Sequence, residues 1–237
     1  MGDWVAGPTP SALPPSPTRE QETVSTLLWT ISSELAEMSA GALRSLVRIR
    51  NGRQGVGSGM IWHPDGLIVT NHHVIEGRRG RRASGDGGLC VVLPDGRELP
   101  ATVLARHPAY DLAALRVHAS GLPAVALGDS QRLQAGQLVL ALGFPWGVTG
   151  GATTGVLIGA GAELPELGGD GREWLAASLH LRPGHSGGPM LDSGGRLIGI
   201  NTMMNGPDVG VAIPVHVAKA FLKQAHEQQQ PAPTVRV

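Results

Sequence analysis

The sequence predicts an all-β protein: two six-stranded antiparallel β-barrels with an N-terminal helix before them and a C-terminal helix after them. Two observations carry this expectation. Beyond Gly41 the chain breaks into short Val/Leu/Ile-rich runs separated by turn signals such as His63-Pro-Asp-Gly66, Leu93-Pro-Asp-Gly96 and Leu191-Asp-Ser-Gly194. The runs also fall into two groups of about six, and closing each group into a barrel leaves no strand edge unpaired.

Taken in order, residues 1–20 are rich in Pro, Ser and Thr and read as a mobile tail that buries too little to order itself. Over 21–41, Val24, Leu27, Leu28, Ile31, Leu35 and Met38 recur at helical spacing and Gly41 supplies a stop. This amphipathic helix either mediates oligomers or covers an open barrel end. Strands are expected near 45–50, 57–62, 66–70, 89–93, 98–106 and 112–117 in an N-terminal barrel spanning 42–125. A C-terminal barrel over 126–214 takes strands near 136–142, 151–159, 173–179, 189–191, 196–203 and 209–213. A closing helix and polar tail occupy 215–237, with Val217, Ala220, Phe221 and Ala225 on one face.

Composition sets limits. A chain of 237 residues builds its core without metal or disulfide staples, and with aromatics at 3% that core consists mainly of Val, Leu, Ile and Ala. Nineteen basic residues balance nineteen acidic ones, which argues against nucleic acid as a partner. Cys90 stands alone and reads as a small buried apolar residue. No run of 18 apolar residues suggests a membrane span, and the first residues lack the pattern of a secretory signal, so the sequence as written points to the cytoplasm, or to the periplasm or secretion if its start is missing. The nine histidines show no helical metal-binding spacing, and no metal or other cofactor is expected. Arg78-Arg-Gly-Arg-Arg82 reads as a solvated loop, and Asp65, Asp95 and Asp129 as turn residues.

The most informative segment is Arg182-Pro-Gly-His-Ser-Gly-Gly-Pro-Met190, where glycines flank a serine between two strands. Such a loop aims Ser186 outward and turns successive N–H groups inward. A serine hydroxyl is a weak nucleophile and needs a base, which needs an orienting group. His73, after the run Leu67-Ile-Val, and Asp111, before Leu112-Ala-Ala-Leu115, sit at strand ends where they can converge with it. The order His, Asp, Ser is that of chymotrypsin-type enzymes.

These residues and their surroundings resemble the trypsin-like serine proteases of the HtrA/Deg family. The resemblance rests on Gly57-Ser-Gly-Met60, Gly66-Leu-Ile-Val-Thr-Asn-His-His-Val74, Asp111-Leu-Ala113, Leu127-Gly-Asp-Ser130, Gly143-Phe-Pro-Trp-Gly147, Gly184-His-Ser-Gly-Gly-Pro189, Ile198-Gly-Ile-Asn-Thr202 and Gly210-Val-Ala-Ile-Pro214. It implies a chymotrypsin/trypsin-like fold and a serine endopeptidase acting on unfolded or damaged polypeptides. It also implies His73, rather than His72, as the base and an oxyanion hole from the N–H groups of Gly184, His185 and Ser186. Leu181, Ile200, Asn201 and Thr202 would line a pocket for small or medium aliphatic residues, and a homotrimer would be in keeping with the family. The sequence departs from the family in three ways: no PDZ domain is expected, residues 51–56 leave little room for the long loop that some relatives insert, and Arg182 and His185 stand where relatives often have Asn. A chaperone-like binding module with a dormant site is the alternative.

Overall fold

The computed structural model describes residues 19–52, 55–76, 88–164, 167 and 171–229. The tail and the 78–82 basic run fall outside these. Helix α1 (Arg19–Leu43) opens the described chain, and the fold divides into two units within it, between Ala36 and Glu37. The helix continues two residues past Gly41 because Ala42 and Leu43 pack onto the core of the second unit, which outweighs the local stop signal. In the first unit, Val24, Leu27, Leu28 and Ile31 are each more than half exposed.

The second unit holds both barrels. The first closes in the order β1 (Leu46–Asn51), β2 (Gly55–His63), β3 (Leu67–Asn71), β6 (Leu112–Val117), β5 (Glu98–His107) and β4 (Leu89–Val92). The second closes in the order β10 (Pro189–Leu191), β11 (Leu197–Met204), β12 (Gly210–Pro214), β9 (Trp174–Ala177), β8 (Gly151–Gly161) and β7 (Leu138–Gly143). Every pairing is antiparallel.

The apolar runs are continuous rather than alternating because several strands bury both faces. On β1, Val47 and Ile49 fill the first barrel with Ile61, Ile68 and Leu115. Its neighbour Leu46 faces the other way, into a seam where Met60, Val69 and Leu112 meet Leu140, Leu142, Leu191, Ile200 and Ile213 of the second barrel. Each such fully enclosed side chain contributes about 1.5–3 kcal/mol over exposure. The seam holds the strand ends that bear the candidate site in one geometry.

Helix α3 (Val215–Gln229) closes the chain by laying Val215, Ala218 and Phe221 on the seam. Ala220, expected on that face, is exposed. Its first turn follows Pro214 with no local cap, and the buried Ser130 Oγ fills that role by accepting the His216 N–H at 3.2 Å. Asp95 and Asp129 each accept an N–H two residues on, from Arg97 and Gln131 at 3.0 Å, as turn chemistry requires. Cys90 is partly exposed rather than buried, on β4 at the barrel's outer side. No helix among the described residues is long and apolar enough to cross a membrane.

Candidate active site

Asp111 owes its position to a short turn. His107 caps a single 3₁₀ turn over Pro108–Tyr110, its Nδ1 accepting the Tyr110 N–H at 3.2 Å, and Pro108 occupies the first position, where a missing N–H costs nothing. The turn ends on Asp111 at φ 55°, a left-handed conformation that aspartate tolerates better than most residues. Arg172 donates to the Ala109 carbonyl and Tyr110 packs against Trp174 at 5.9 Å, so residues of the second barrel anchor this turn. The carboxylate then receives three donors: Oδ1 takes the His73 N–H at 2.9 Å, and Oδ2 takes His73 Nδ1 at 2.7 Å and Thr202 Oγ1 at 2.6 Å.

His73 sits in the short helix α2 (His72–Glu76) that follows β3. Asp111 accepts its Nδ1–H, so Nε2 is left to accept a proton. The His72 ring is turned away: its Nε2 lies 3.0 Å from Glu76 Oε1, and its buried Nδ1 has no hydrogen-bond partner among the described residues. The structure therefore joins the His73 ring, and not that of its neighbour, to the Asp111 carboxylate, while the His72 N–H donates to the Asp111 main-chain carbonyl at 2.9 Å.

The loop bearing Ser186 is held from three sides. Buried Ser58 on β2 donates its N–H to the Ser186 carbonyl at 2.8 Å and its Oγ to the Gly184 carbonyl at 2.6 Å. The Phe144 N–H takes the same Gly184 carbonyl at 2.9 Å, and the Gly187 N–H reaches Asn201 O at 2.8 Å. Ser58 lies in the block Gly57-Ser-Gly-Met60, and its place in a mostly apolar strand singles it out without showing which loop it holds. Gly184 (φ +106°) and Gly187 (φ +81°) have no alternative, since a Cβ would lie 2.3 Å from Phe144 O and 2.1 Å from Ser58 O respectively. We expect Gly187→Ala to lower unfolding stability in urea by about 3 kcal/mol or more, because strain and a main-chain clash add.

Among the described residues, no main-chain carbonyl takes the N–H of Gly184 or of Ser186, so both are available to a developing oxyanion. His185, expected as a third donor, is not available: its N–H closes a turn onto Arg182 O at 2.9 Å. The Ser186 hydroxyl donates to Thr202 O at 3.2 Å.

The expected pocket residues divide. Ile200 is enclosed in the seam, and Asn201 is fully buried with its amide on Pro189 O at 2.8 Å, so neither presents its side chain to a ligand. They are consecutive on β11 and point to opposite faces, both of which are covered, a difference that sequence spacing does not show. Thr202 lies at the site, bonded to Ser186 and Asp111, while Leu181 is buried in the core of the second barrel with Met204 against it, the Met204 Sδ accepting the Leu181 N–H at 3.1 Å.

The family model of the trypsin-like peptidase domain matches residues 57–200. The chain belongs to the trypsin-like peptidase family. Its relatives are HtrA proteins: it is 36% identical over 176 residues to mitochondrial serine protease HTRA2 of Drosophila persimilis, covering 73% of this chain and 40% of that one. It is 34% identical over 173 residues to a probable periplasmic serine endoprotease DegP-like of Chlamydia pneumoniae, covering 71% and 34%. The chain thus spans less than half the length of these curated relatives. A solved structure of the HtrA-type protease AlgW with a decapeptide aligns with TM-score 0.69 and 27% identity, over 83% of this chain and 68% of that one.

In this member of the trypsin-like peptidase family, burial pushes the Asp111 carboxyl up. The hydrogen bonds from His73 and Thr202 outweigh it and hold the group below its ordinary value of 3.8. A depressed carboxyl contributes stability that is present above the unfolded value and is lost as pH falls through the folded one. Thr202→Val keeps shape and removes only the hydroxyl. We expect it to move the acid-unfolding midpoint to higher pH and to lower kcat by about tenfold, or ~1.4 kcal/mol, as acid titration and peptide-cleavage kinetics would record.

Proposed function

We propose that this chain is a serine endopeptidase in which Ser186 is the nucleophile, His73 the general base and Asp111 the group that orients the base. The carrying observation is the convergence of His73 Nδ1 and Thr202 Oγ1 on one Asp111 oxygen, beside a serine loop with two unengaged N–H groups. Ser186 Oγ attacks the peptide carbonyl while His73 Nε2 takes its proton. The oxyanion is met by the N–H groups of Gly184 and Ser186, and His73 returns the proton to the leaving amine. Water then resolves the acyl-enzyme, again with His73 as base.

Unfolded or damaged polypeptides are the substrates in this reading, since an extended strand is what a cleft between two barrels receives. Leu181, Thr202 and Met204 favour a small or medium aliphatic residue before the cut. The neighbouring AlgW structures, solved with a tripeptide and a decapeptide, support a polypeptide ligand, and a homo-oligomer follows in this reading from the resemblance to the HtrA family. A fluorophosphonate should label the native protein but not Ser186→Ala, and a denatured protein should be cleaved by the native chain alone. Failure of both under neutral and alkaline conditions overturns the reading.

One observation favours a second reading, a polypeptide-binding module with a dormant site. The Ser186 hydroxyl rests on Thr202 O, and among the described residues no hydrogen bond joins it to His73. Suppression of aggregation that survives Ser186→Ala, in a protein that no fluorophosphonate labels, would support the module over the enzyme.

A further inference from the structure

We infer that His185 is a positioning residue of the oxyanion loop: its neutral ring fastens the turn that presents the Gly184 N–H, and protonation of the ring unfastens it. The inference rests on the peptidase reading above for its consequence, which is loss of activity in acid. It does not rest on that reading for its geometry.

His185 is 2% exposed, and both ring nitrogens are engaged. Nε2 lies 3.1 Å from the carbonyl of Gly151, the first residue of β8. A carbonyl only accepts, so Nε2 carries the proton and Nδ1 is bare. The Arg182 N–H donates to that bare Nδ1 at 2.9 Å. The ring therefore ties the start of the 182–185 turn to β8, while the main-chain bond from His185 N–H to Arg182 O closes the turn at 2.9 Å. Inside the turn lie Pro183 and Gly184. There is no slack behind it: a Cβ on Gly143 would lie 2.6 Å from His185 Cα.

A second ring proton would sit on Nδ1, facing the Arg182 N–H. That hydrogen bond is then replaced by opposed donors. The other acceptor beside Nδ1 is Arg182 O at 3.2 Å, which already holds the His185 N–H, so reaching it requires the turn to shift. Charge works in the same direction. The charged groups acting on the ring are Arg182 and His180, both of which oppose a positive charge on it, and His180 is itself 3.6 Å from Asp208. β8 meets the ring with the Gly151 carbonyl, the Phe144 N–H meets the loop at Gly184 O, Trp146 packs against the Arg182 guanidinium, and Ser58 on β2 meets the loop with an uncharged hydroxyl.

Burial, the largest influence, keeps the ring neutral below its ordinary value of 6.5; the charges of Arg182 and His180 add to this, and the carbonyls of Gly151 and Arg182, as acceptors, oppose it. A histidine depressed in this way contributes stability that is complete above 6.5 and declines as pH falls toward the folded value. The fastening is therefore intact at neutral pH and lost in acid.

Two measurements on the full chain test this. In Ser186→Ala protein with nitrogen-15 histidine and glycine, we expect the His185 ring to be the Nε2–H tautomer at pH 7.5, and the Gly184 amide shift to move with the same midpoint as the ring nitrogens. The second is the pH dependence of kcat/KM. Protonation of His73 alone gives an acid limb of unit slope, about tenfold per pH unit; native protein should steepen toward a slope of two, about a hundredfold per unit, once His185 also titrates. His185→Asn keeps an acceptor where Nδ1 stands and cannot titrate, so its limb should keep unit slope; His185→Gln serves if that variant fails to fold. Equal limbs in native and variant protein, or a Gly184 amide indifferent to His185, overturn the inference. Native protein that no fluorophosphonate labels at pH 8 would overturn the peptidase reading instead, leaving the spectra to decide the role of His185.

Discussion

Ser186→Ala is expected to lower kcat by about 10⁶-fold while leaving the fold intact. The side chain is partly exposed and its one hydrogen bond among the described residues, to Thr202 O, is long at 3.2 Å, so its removal leaves no core cavity. The loop is held by main-chain partners, Ser58 on Ser186 O and Asn201 on the Gly187 N–H, and these survive the substitution. The variant should therefore unfold at the same urea midpoint as native protein and still bind an unfolded polypeptide. A large loss of stability would mean that Ser186 has a structural role that its contacts do not indicate. A loss of only tenfold would mean that another group supplies the nucleophile.

Asp111→Asn should cost about 10⁴-fold in kcat with KM little changed. Three donors converge on this carboxylate: the His73 N–H, His73 Nδ1 and the Thr202 hydroxyl. An amide offers one oxygen and one NH₂, so at least one donor faces another donor. The imidazole then turns or adopts the other tautomer, and Nε2 no longer accepts the Ser186 proton. Unlike Ser186→Ala, this variant should also lose stability, by about 1–3 kcal/mol for the buried groups left unpaired. It should also lose the acid-linked stability that native Asp111 supplies. Steady-state kinetics and urea unfolding at pH 5 and pH 8 separate the two effects.

The barrels were legible because their signals are local. Turn chemistry at Asp95 and Asp129 and the Val/Leu/Ile runs between turns do not depend on the rest of the chain. The His, Asp, Ser order was legible for a similar reason, each residue lying at the end of a recognisable strand. What the sequence left open depends on long-range direction. Asn201 and Thr202 are adjacent on β11, yet the pleat sends one into the core and brings the other onto Asp111, 91 positions earlier in the chain. Gly41 reads as a stop until Ala42 and Leu43 find the core. His185 reads as one more oxyanion donor until the turn onto Arg182 is seen to use its N–H. Ser58 has no local signature of its role, because the loop it clasps is 126 residues away at Gly184.

The central claim is that one serine, in one loop, is an activated nucleophile. Its most direct test is to incubate native protein with a fluorophosphonate at pH 8 and locate the adduct by mass spectrometry. A single adduct per chain is expected, on Ser186, absent from Ser186→Ala and greatly slowed in Asp111→Asn. No adduct at all, or an adduct on another residue while Ser186 stays unmodified, would contradict it.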